Sequence, residues 1–134
     1  MGKKVVVVDD EQDLCRILEI AIRVRNMEIE VHKAHDGISG LALIEKVRPD
    51  LVILDVKMPK ANGYEVLNRI RQDVNLKDTP VIMLTSLTQD TPKTDDQWQT
   101  SMDVAGFFSK PYDTEKLLQT VESVLGVEIP KPQP

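Results

Sequence analysis

The run from Leu51 to Asp55 constrains the fold of this chain more than any other stretch. Four consecutive apolar residues end in a carboxylate, and Met58-Pro59 follows three residues later. A short apolar run bounded by turn-forming residues predicts a strand that is buried on both faces. Because a charged side chain is costly to bury, we expect Asp55 where the strand leaves the sheet. In open parallel sheets that end binds ligands, which makes Asp55 the candidate chemical centre.

Short apolar runs and helical patterns alternate along the rest of the chain. The predicted strands cover residues 4–8, 29–34, 51–55, 81–84 and 106–108. Helical patterns follow each of them, beginning near residues 10, 38, 63, 95 and 114. Five strands alternating with five helices indicate an α/β fold whose parallel sheet is covered on both faces. Right-handed crossovers and the size of the chain favour a doubly wound sheet in the order 2-1-3-4-5.

The helical patterns also predict which side chains face the core. The first helix has Asp10 as a suitable N-cap and an apolar stripe at helical spacing. That stripe is Leu14, Ile17, Leu18 and Ala21, and the stripe of the third helix is Val66, Leu67, Ile70 and Val74. Cys15 lies beside the first stripe, and this position favours a packed thiol over a reactive one.

Composition excludes several classes of function. With 134 residues the chain is most simply one domain, and its net charge of −5 argues against sequence-independent binding of nucleic acid. A single cysteine excludes an internal disulfide and suits a reducing cytoplasm. No apolar run approaches the ~20 residues of a membrane span. His32 and His35 lack metal-ligand spacing with acids or cysteine, so neither is a predicted ligand. We therefore expect a cytoplasmic protein without a membrane partner.

Polar side chains follow four of the five predicted strands. They are Asp9 and Asp10 after the first, Asp55 after the third, Thr85-Ser86 after the fourth and Lys110-Pro111 after the fifth. In the predicted order, the strands that carry the acids flank the point where the strand order reverses. A divalent cation would relieve the acid repulsion there, and ligands that are all oxygen select Mg²⁺ or Mn²⁺. With a lysine and a hydroxyl to hold phosphate oxygens, the set predicts metal-assisted phosphoryl transfer to a carboxylate.

These motifs together resemble those of the receiver domain of response regulators in two-component signalling. The resemblance covers residues 3–126 and includes the D-x-K-M-P motif that begins at Asp55. It implies the CheY-like, flavodoxin-like arrangement of the sheet, and a phosphorylation-activated switch without an enzymatic output of its own. Asp55 would accept a phosphoryl group from the phosphohistidine of a sensor histidine kinase or histidine phosphotransfer protein.

The resemblance also implies which groups would bind the metal ion. Asp10 and Asp55 would bind Mg²⁺ directly, together with the backbone carbonyl of Lys57. Asp9 would act mainly through water.

Lys110, Thr85 and Phe107 have implied roles beside the phosphoryl group. Lys110 would pair with the phosphoryl oxygens, and Thr85 would donate a hydrogen bond to one of them. Phe107 stands three residues before Lys110, where the family has a switch aromatic, although a static core position is an equal alternative. Movement of Thr85 and Phe107 would change the face formed by the fourth helix, the fifth strand and the last helix. A downstream protein or output domain would bind there.

Two other functions compete with this interpretation. A pseudo-receiver that is never phosphorylated is disfavoured by the complete acidic set. A hydrolase of the haloacid-dehalogenase kind needs a second acid two residues after the nucleophile, where this chain has Lys57.

Two segments depart from a regular receiver pattern. Residues 87–105 are longer and more polar than the family pattern, so we expect a loop over residues 87–94 and a mobile or displaced fourth helix. Residues 127–134 contain three prolines and no periodicity, which predicts a linker or frayed tail after a domain of residues 1–126.

Overall fold

Five strands form one parallel sheet in the part of the chain that the structure describes. This computed structural model describes residues 2–58, 60, 62–86 and 104–131. The strands are β1 (Lys4–Val8), β2 (Glu30–Ala34), β3 (Leu51–Asp55), β4 (Val81–Ser86) and β5 (Gly106–Lys110). The helices are α1 (Gln12–Arg25), α2 (Gly37–Val47), α3 (Gly63–Gln72) and α4 (Thr114–Leu125). The strand order β2-β1-β3-β4-β5 confirms the prediction.

The predicted loop over residues 87–94 and the helix expected from about residue 95 lie outside the described residues. The expected displacement of that helix therefore stays a prediction. Across the described residues, no helix is long and apolar enough to cross a membrane.

The two central strands β1 and β3 are apolar because helices cover both of their faces. Alternate side chains enter two hydrophobic layers, one on each face of the sheet. Val5, Val7 and Ile53 lie in the layer under α1 and α4, whereas Val6 and Leu54 lie in the layer under α2 and α3. The sheet is thus held between two cores, and the polar side chains of β1 and β3 are confined to the ends of these strands.

Helix α1 packs with a face that is rotated from the predicted stripe but still includes Leu18 and Ala21. Its buried residues are Cys15, Leu18 and Ile22, whereas Ile17 is 57% exposed. The N-cap position belongs to Glu11 rather than Asp10, and no side chain caps the helix. The predicted stripe is thus confirmed for Leu18 and Ala21 and wrong for Ile17. The periodicity of a helix that is apolar on several sides does not define its rotation against the core.

Helix α3 ends earlier than its predicted apolar stripe. It stops at Gln72, so Val74 lies beyond the helix and is 77% exposed. Leu76 is buried in its place, at 2% exposure. The assignment of Val74 to the core was therefore wrong, because helical spacing no longer applies after the helix ends.

The N-terminus of α3 packs directly against the end of β3. Gly63 donates a hydrogen bond from its N–H to the carbonyl of Val56, at 2.7 Å. A Cβ atom at position 63 would overlap the backbone carbonyl of Asp55. Glycine at this position therefore allows the helix to approach the strand end that carries the candidate nucleophile.

The segment after α4 is packed rather than frayed. Gly126 ends the helix with a φ of 70°, and Ile129 returns to the core with only 5% exposure. The Asn26 side chain donates to the carbonyl of Glu128 at 2.9 Å, and the N–H of Ile129 donates to Glu122 Oε2 at 2.6 Å. The prediction of a frayed tail was wrong for residues 127–129, whereas the division into domain and linker stays a prediction.

Replacing Ile129 with alanine tests whether this segment stabilises the domain. We expect Ile129→Ala to lower the free energy of unfolding by about 2–3 kcal/mol, because it removes a buried side chain at the rim of the core. Urea denaturation of the full chain measures the change. Lys131→Ala, at an exposed position of the same segment, is the matched control and should match the parent. Equal stability of the two variants would contradict the packing of the segment.

Candidate functional site

Three carboxylates meet where β1 and β3 leave the sheet. Val8 pairs with Leu54 in the register of these neighbouring strands, so Asp9 and Asp55 end at the same level. Carboxylate oxygens of Asp9, Asp10 and Asp55 all lie within 4.8 Å of one another. Asp9 and Asp55 are buried, at 0% and 2% exposure, while Asp10 is exposed. The sequence therefore predicts the acidic cluster correctly, and the strand register explains it.

Asp9 is held in place by bonds to both its backbone and its side chain. Its N–H donates to the carbonyl of Ala34 at 3.1 Å, and its Oδ1 accepts from the N–H of Glu11 at 2.9 Å. Burial raises the pKa of Asp9, although the hydrogen bonds from Glu11 and Lys110 oppose that rise. These hydrogen bonds hold the Asp9 carboxylate in one orientation beside the other two acids.

Lys110 joins the last strand to the acids of the first and third strands. Its Nζ lies 2.9 Å from Asp9 Oδ2, 3.0 Å from Glu11 Oε1 and 3.4 Å from Asp55 Oδ1. Burial acts to lower the pKa of Lys110, but the hydrogen bonds to Asp9 and Glu11 and the charge of Asp55 outweigh it, and the net change is a rise. Lys110 therefore stays charged and holds the acids together.

Asp55 has an oxygen without a hydrogen bond from any described residue. Its Oδ1 is buried, and its 3.4 Å contact with Lys110 is an ion pair that falls outside good hydrogen-bond geometry. Burial, and then the neighbouring charge of Asp9, raise the pKa of Asp55 to about 7, against the opposing effect of Lys110. A buried oxygen in this condition is destabilising unless a ligand satisfies it.

The residues present fit a hard divalent cation. The carboxylates of Asp9, Asp10 and Asp55 cluster at the end of β3, and Lys110 is the one described cation within ion-pair distance of Asp55. A fourth carboxylate, that of Glu11, shares Lys110 with them. The excess of negative charge and the unsatisfied Asp55 oxygen both favour a bound cation. All the candidate ligands are oxygen atoms, which Mg²⁺ and Mn²⁺ prefer.

Thr85, Phe107 and Lys57 lie around this cluster in different environments. Thr85 is buried at 4% exposure near the end of β4, where it pairs with Ser109. Phe107 is turned inward at 9% exposure and belongs to the core layer under α2 and α3. Lys57 is exposed, two residues beyond Asp55. The roles expected for these residues stay predictions.

Sequence reasoning missed three neighbours of the acidic turn. Glu11 pairs with Lys110, and Cys15 and His35 both approach the backbone carbonyl of Asp9. Cys15 is completely buried, and burial followed by the charge of Asp9 raises the pKa of its thiol to about 12, so the prediction of a packed thiol is confirmed. The sequence signal for His35 was its position directly after β2. Neighbouring parallel strands end at the same edge of the sheet, so a residue there can reach the end of β1.

Comparison with known proteins identifies the family. Residues 5–122 match the model of the response regulator receiver domain. The chain belongs to this family. It is 32% identical over 122 residues to the DNA-binding dual master transcriptional regulator RpaA of Synechocystis sp., covering 91% of this chain and 48% of RpaA. It is 30% identical over 122 residues to the protein PilH of Pseudomonas aeruginosa, covering 91% of this chain and 97% of PilH. The receiver thus spans about half the length of RpaA and almost all of PilH.

Solved receiver structures have the same fold. The chemotaxis response regulator CheY4 of Vibrio cholerae superimposes with a TM-score of 0.77 at 31% identity, covering 93% of this chain and 100% of CheY4. The REC domain of AraT, a response regulator from Geobacillus stearothermophilus, gives a TM-score of 0.79 at 25% identity, covering 94% of this chain and 95% of that domain. The resemblance inferred from the motifs is therefore confirmed for family and fold.

Replacing Asp55 with asparagine should stabilise the receiver in metal-free buffer. The pKa of Asp55 rises from 3.8 to about 7 on folding. The native state therefore holds more protons between these values, and its stability falls as the pH rises through this window. We expect Asp55→Asn to raise the free energy of unfolding by on the order of 3 kcal/mol near pH 8, and by little near pH 4.

Urea denaturation in EDTA at several pH values measures this difference. Asp78→Asn makes the same change of charge at an exposed position and should leave the stability close to that of the parent. Loss of stability in Asp55→Asn near pH 8 would show that the buried carboxylate is satisfied within the protein.

Proposed function

We propose that this chain is a phosphorylation-activated signalling switch in which Asp55 accepts the phosphoryl group. The observation that carries the proposal is the buried Asp55 oxygen, which receives no hydrogen bond from the described residues. Two further acids lie beside it, and the Lys110 ammonium group is 3.4 Å away. A nucleophilic carboxylate needs a lone pair that no hydrogen bond occupies, and a neighbouring cation that compensates the incoming charge.

The phosphoryl donor in the proposal is a phosphohistidine of a sensor histidine kinase or a histidine phosphotransfer protein. An oxygen of Asp55 attacks the phosphorus atom, and the P–N bond of the phosphohistidine breaks as the new P–O bond forms. The imidazole leaves with the electron pair of the broken bond. Lys110 compensates the phosphoryl charge with its ammonium group, which is already 3.4 Å from Asp55.

Asp10 and Asp55, with the backbone carbonyl of Lys57, are the proposed direct ligands of Mg²⁺, and Asp9 is proposed to act through water. Bound Mg²⁺ supplies positive charge against the phosphoryl oxygens. The buried Asp9 remains paired with Lys110, which supports its assignment as an indirect ligand. Among the three clustered acids, Asp10 is the exposed one and can exchange water for a metal ion.

Thr85 and Phe107 form the proposed route from the phosphoryl group to a partner. Phe107 pairs with Met83 in the register of β4 and β5, and Thr85 pairs with Ser109, so the two lie on adjacent strands. A hydrogen bond from Thr85 to a phosphoryl oxygen would alter packing next to Phe107. The face that includes β5 and α4 would then report phosphorylation to a downstream protein or output domain.

The architecture around this switch is also part of the proposal. Residues 1–126 are the proposed receiver domain, and residues 127–134, of which 127–129 pack against it, are a proposed tail or linker. The domain works in the cytoplasm without binding nucleic acid or membrane directly, and it has no catalytic output of its own. The acidic charge and the single cysteine support this assignment.

Acetyl phosphate provides a test that needs no partner protein. With Mg²⁺, we expect the intact mass of the full chain to increase by one phosphoryl group, because Asp55 attacks the small acyl phosphate as it would a phosphohistidine. Excess EDTA and Asp55→Ala should each abolish the increase, whereas Asp78→Ala should not. No increase in the parent would favour the pseudo-receiver, and steady release of phosphate without a covalent adduct would favour the hydrolase.

Lys57→Ala tests whether the exposed lysine beside Asp55 protects the phosphoryl group from water. Its charge lies two residues beyond the nucleophile, and we expect its loss to shorten the lifetime of the phosphorylated form by roughly two- to tenfold, as removal of one charged neighbour would. The decay of the phosphorylated mass after removal of acetyl phosphate measures the lifetime. Lys77→Ala, at another exposed lysine, is the control. An unchanged lifetime in Lys57→Ala would contradict the role.

A further inference from the structure

The peptide groups on both sides of Asp9 are held by hydrogen bonds. On the side of Val8, the N–H of Asp9 donates to the carbonyl of Ala34 at 3.1 Å. The carbonyl oxygen of Asp9 lies 3.1 Å from Nδ1 of His35 and 3.4 Å from Sγ of Cys15. Two side chains that the sequence gives no role in the site therefore meet on one backbone oxygen of the acidic turn.

The chemistry of this contact determines the protonation of His35 Nδ1. A carbonyl oxygen can only accept hydrogen bonds, so the ring nitrogen that faces it carries the proton. The thiol of Cys15 is the weaker of the two donors. His35 therefore donates the stronger of the two hydrogen bonds, and this bond fixes the direction of the Asp9 carbonyl.

The direction of this carbonyl matters because the Asp10 side chain has little else to orient it. Asp10 is exposed, and its carboxylate makes no hydrogen bond or ion pair with any residue that the structure describes. The carbonyl of Asp9 and the nitrogen of Asp10 belong to one planar peptide group. Fixing the Asp9 carbonyl therefore fixes the plane from which the Asp10 side chain extends towards Asp55.

We propose that His35 is a positioning residue for the metal site, which orients Asp10 through the carbonyl of Asp9. This inference rests on the proposed function, and it adds a residue that touches neither the metal ion nor the phosphoryl group. Hydrogen-bonded neighbours that orient metal ligands commonly affect metal affinity without being ligands themselves. His35 acts one step further away, through the backbone instead of through the ligand's own carboxylate.

Three substitutions of His35 distinguish positioning from general packing. Asparagine carries its amide nitrogen on Cγ, as histidine carries Nδ1, so His35→Asn can keep the donor in place. Glutamine moves the amide one methylene further out, and alanine removes the donor. His32→Ala is the matched control, because His32 lies on β2 just before His35 and contacts Glu30 away from the acidic cluster.

Titration of the full chain with Mg²⁺, followed by NMR of the backbone amides, is the experiment. We expect His35→Ala and His35→Gln to bind Mg²⁺ roughly tenfold more weakly than the parent, at the lower end of the range for outer neighbours of a metal site. His35→Asn and His32→Ala should keep the affinity of the parent. The amide signal of Asp10 should shift in metal-free buffer for the alanine and glutamine variants, because that nitrogen shares a peptide group with the Asp9 carbonyl.

The outcomes separate this inference from the proposed function. If the parent does not bind Mg²⁺, the proposed metal site fails and the positioning role fails with it. If the parent binds and all three His35 variants bind equally well, or are weakened equally, the positioning role alone is overturned. Urea denaturation in metal-free buffer identifies any variant that weakens binding by unfolding. Among the folded variants, weaker Mg²⁺ binding by His35→Gln than by His35→Asn supports the positioning role, and equal binding overturns it.

Discussion

The ammonium group of Lys110 is the interaction on which the acidic end of this receiver depends. It bridges Asp9, Glu11 and Asp55, although Lys110 and Asp9 are 101 residues apart in sequence. Two of those acids are buried, and an isolated buried carboxylate would be strongly destabilising. By pairing with them from β5, Lys110 allows the neighbouring strands β1 and β3 to end in charge.

One lysine does not satisfy all of these acids. Asp55 keeps a buried oxygen without a hydrogen bond from the described residues, and its pKa is raised to about 7 by burial and by Asp9. The same imbalance that destabilises the folded protein favours a bound cation and leaves an Asp55 oxygen without a hydrogen bond. Departures from local stability rules of this kind are expected at functional sites. In the function that we propose, this oxygen is the one that accepts the phosphoryl group.

The sequence is most informative where local patterns coincide with the architecture. The apolar run of β3 predicts a buried strand with Asp55 at its end, and the strand order then brings Asp9 and Asp10 beside it. Helix faces are less predictable, since α1 docks with Ile22 inward and Ile17 outward. A stripe of apolar residues leaves the rotation of a helix open when several of its sides are apolar.

Contacts between distant segments are the part that local patterns do not encode. The pairing of Glu11 with Lys110 depends on where β5 ends. Ile129 follows a C-cap and is flanked by polar residues and proline, yet it returns to the core. His35 meets the Asp9 carbonyl because β1 and β2 pair in register, with Val8 opposite Ala34. Each of these contacts follows from the assembled sheet and not from the composition of its own segment.

Asp55 is the residue that we propose becomes phosphorylated, and chemical reduction of the acyl phosphate tests this directly. Reduction of the phosphorylated full chain with borohydride converts an aspartyl phosphate to homoserine, which peptide mass spectrometry locates in the sequence. We expect homoserine at position 55, dependent on Mg²⁺ and on the phosphoryl donor. Homoserine at position 9 or 10 with an intact Asp55, or no homoserine in a chain that carries the added phosphoryl mass, would contradict it.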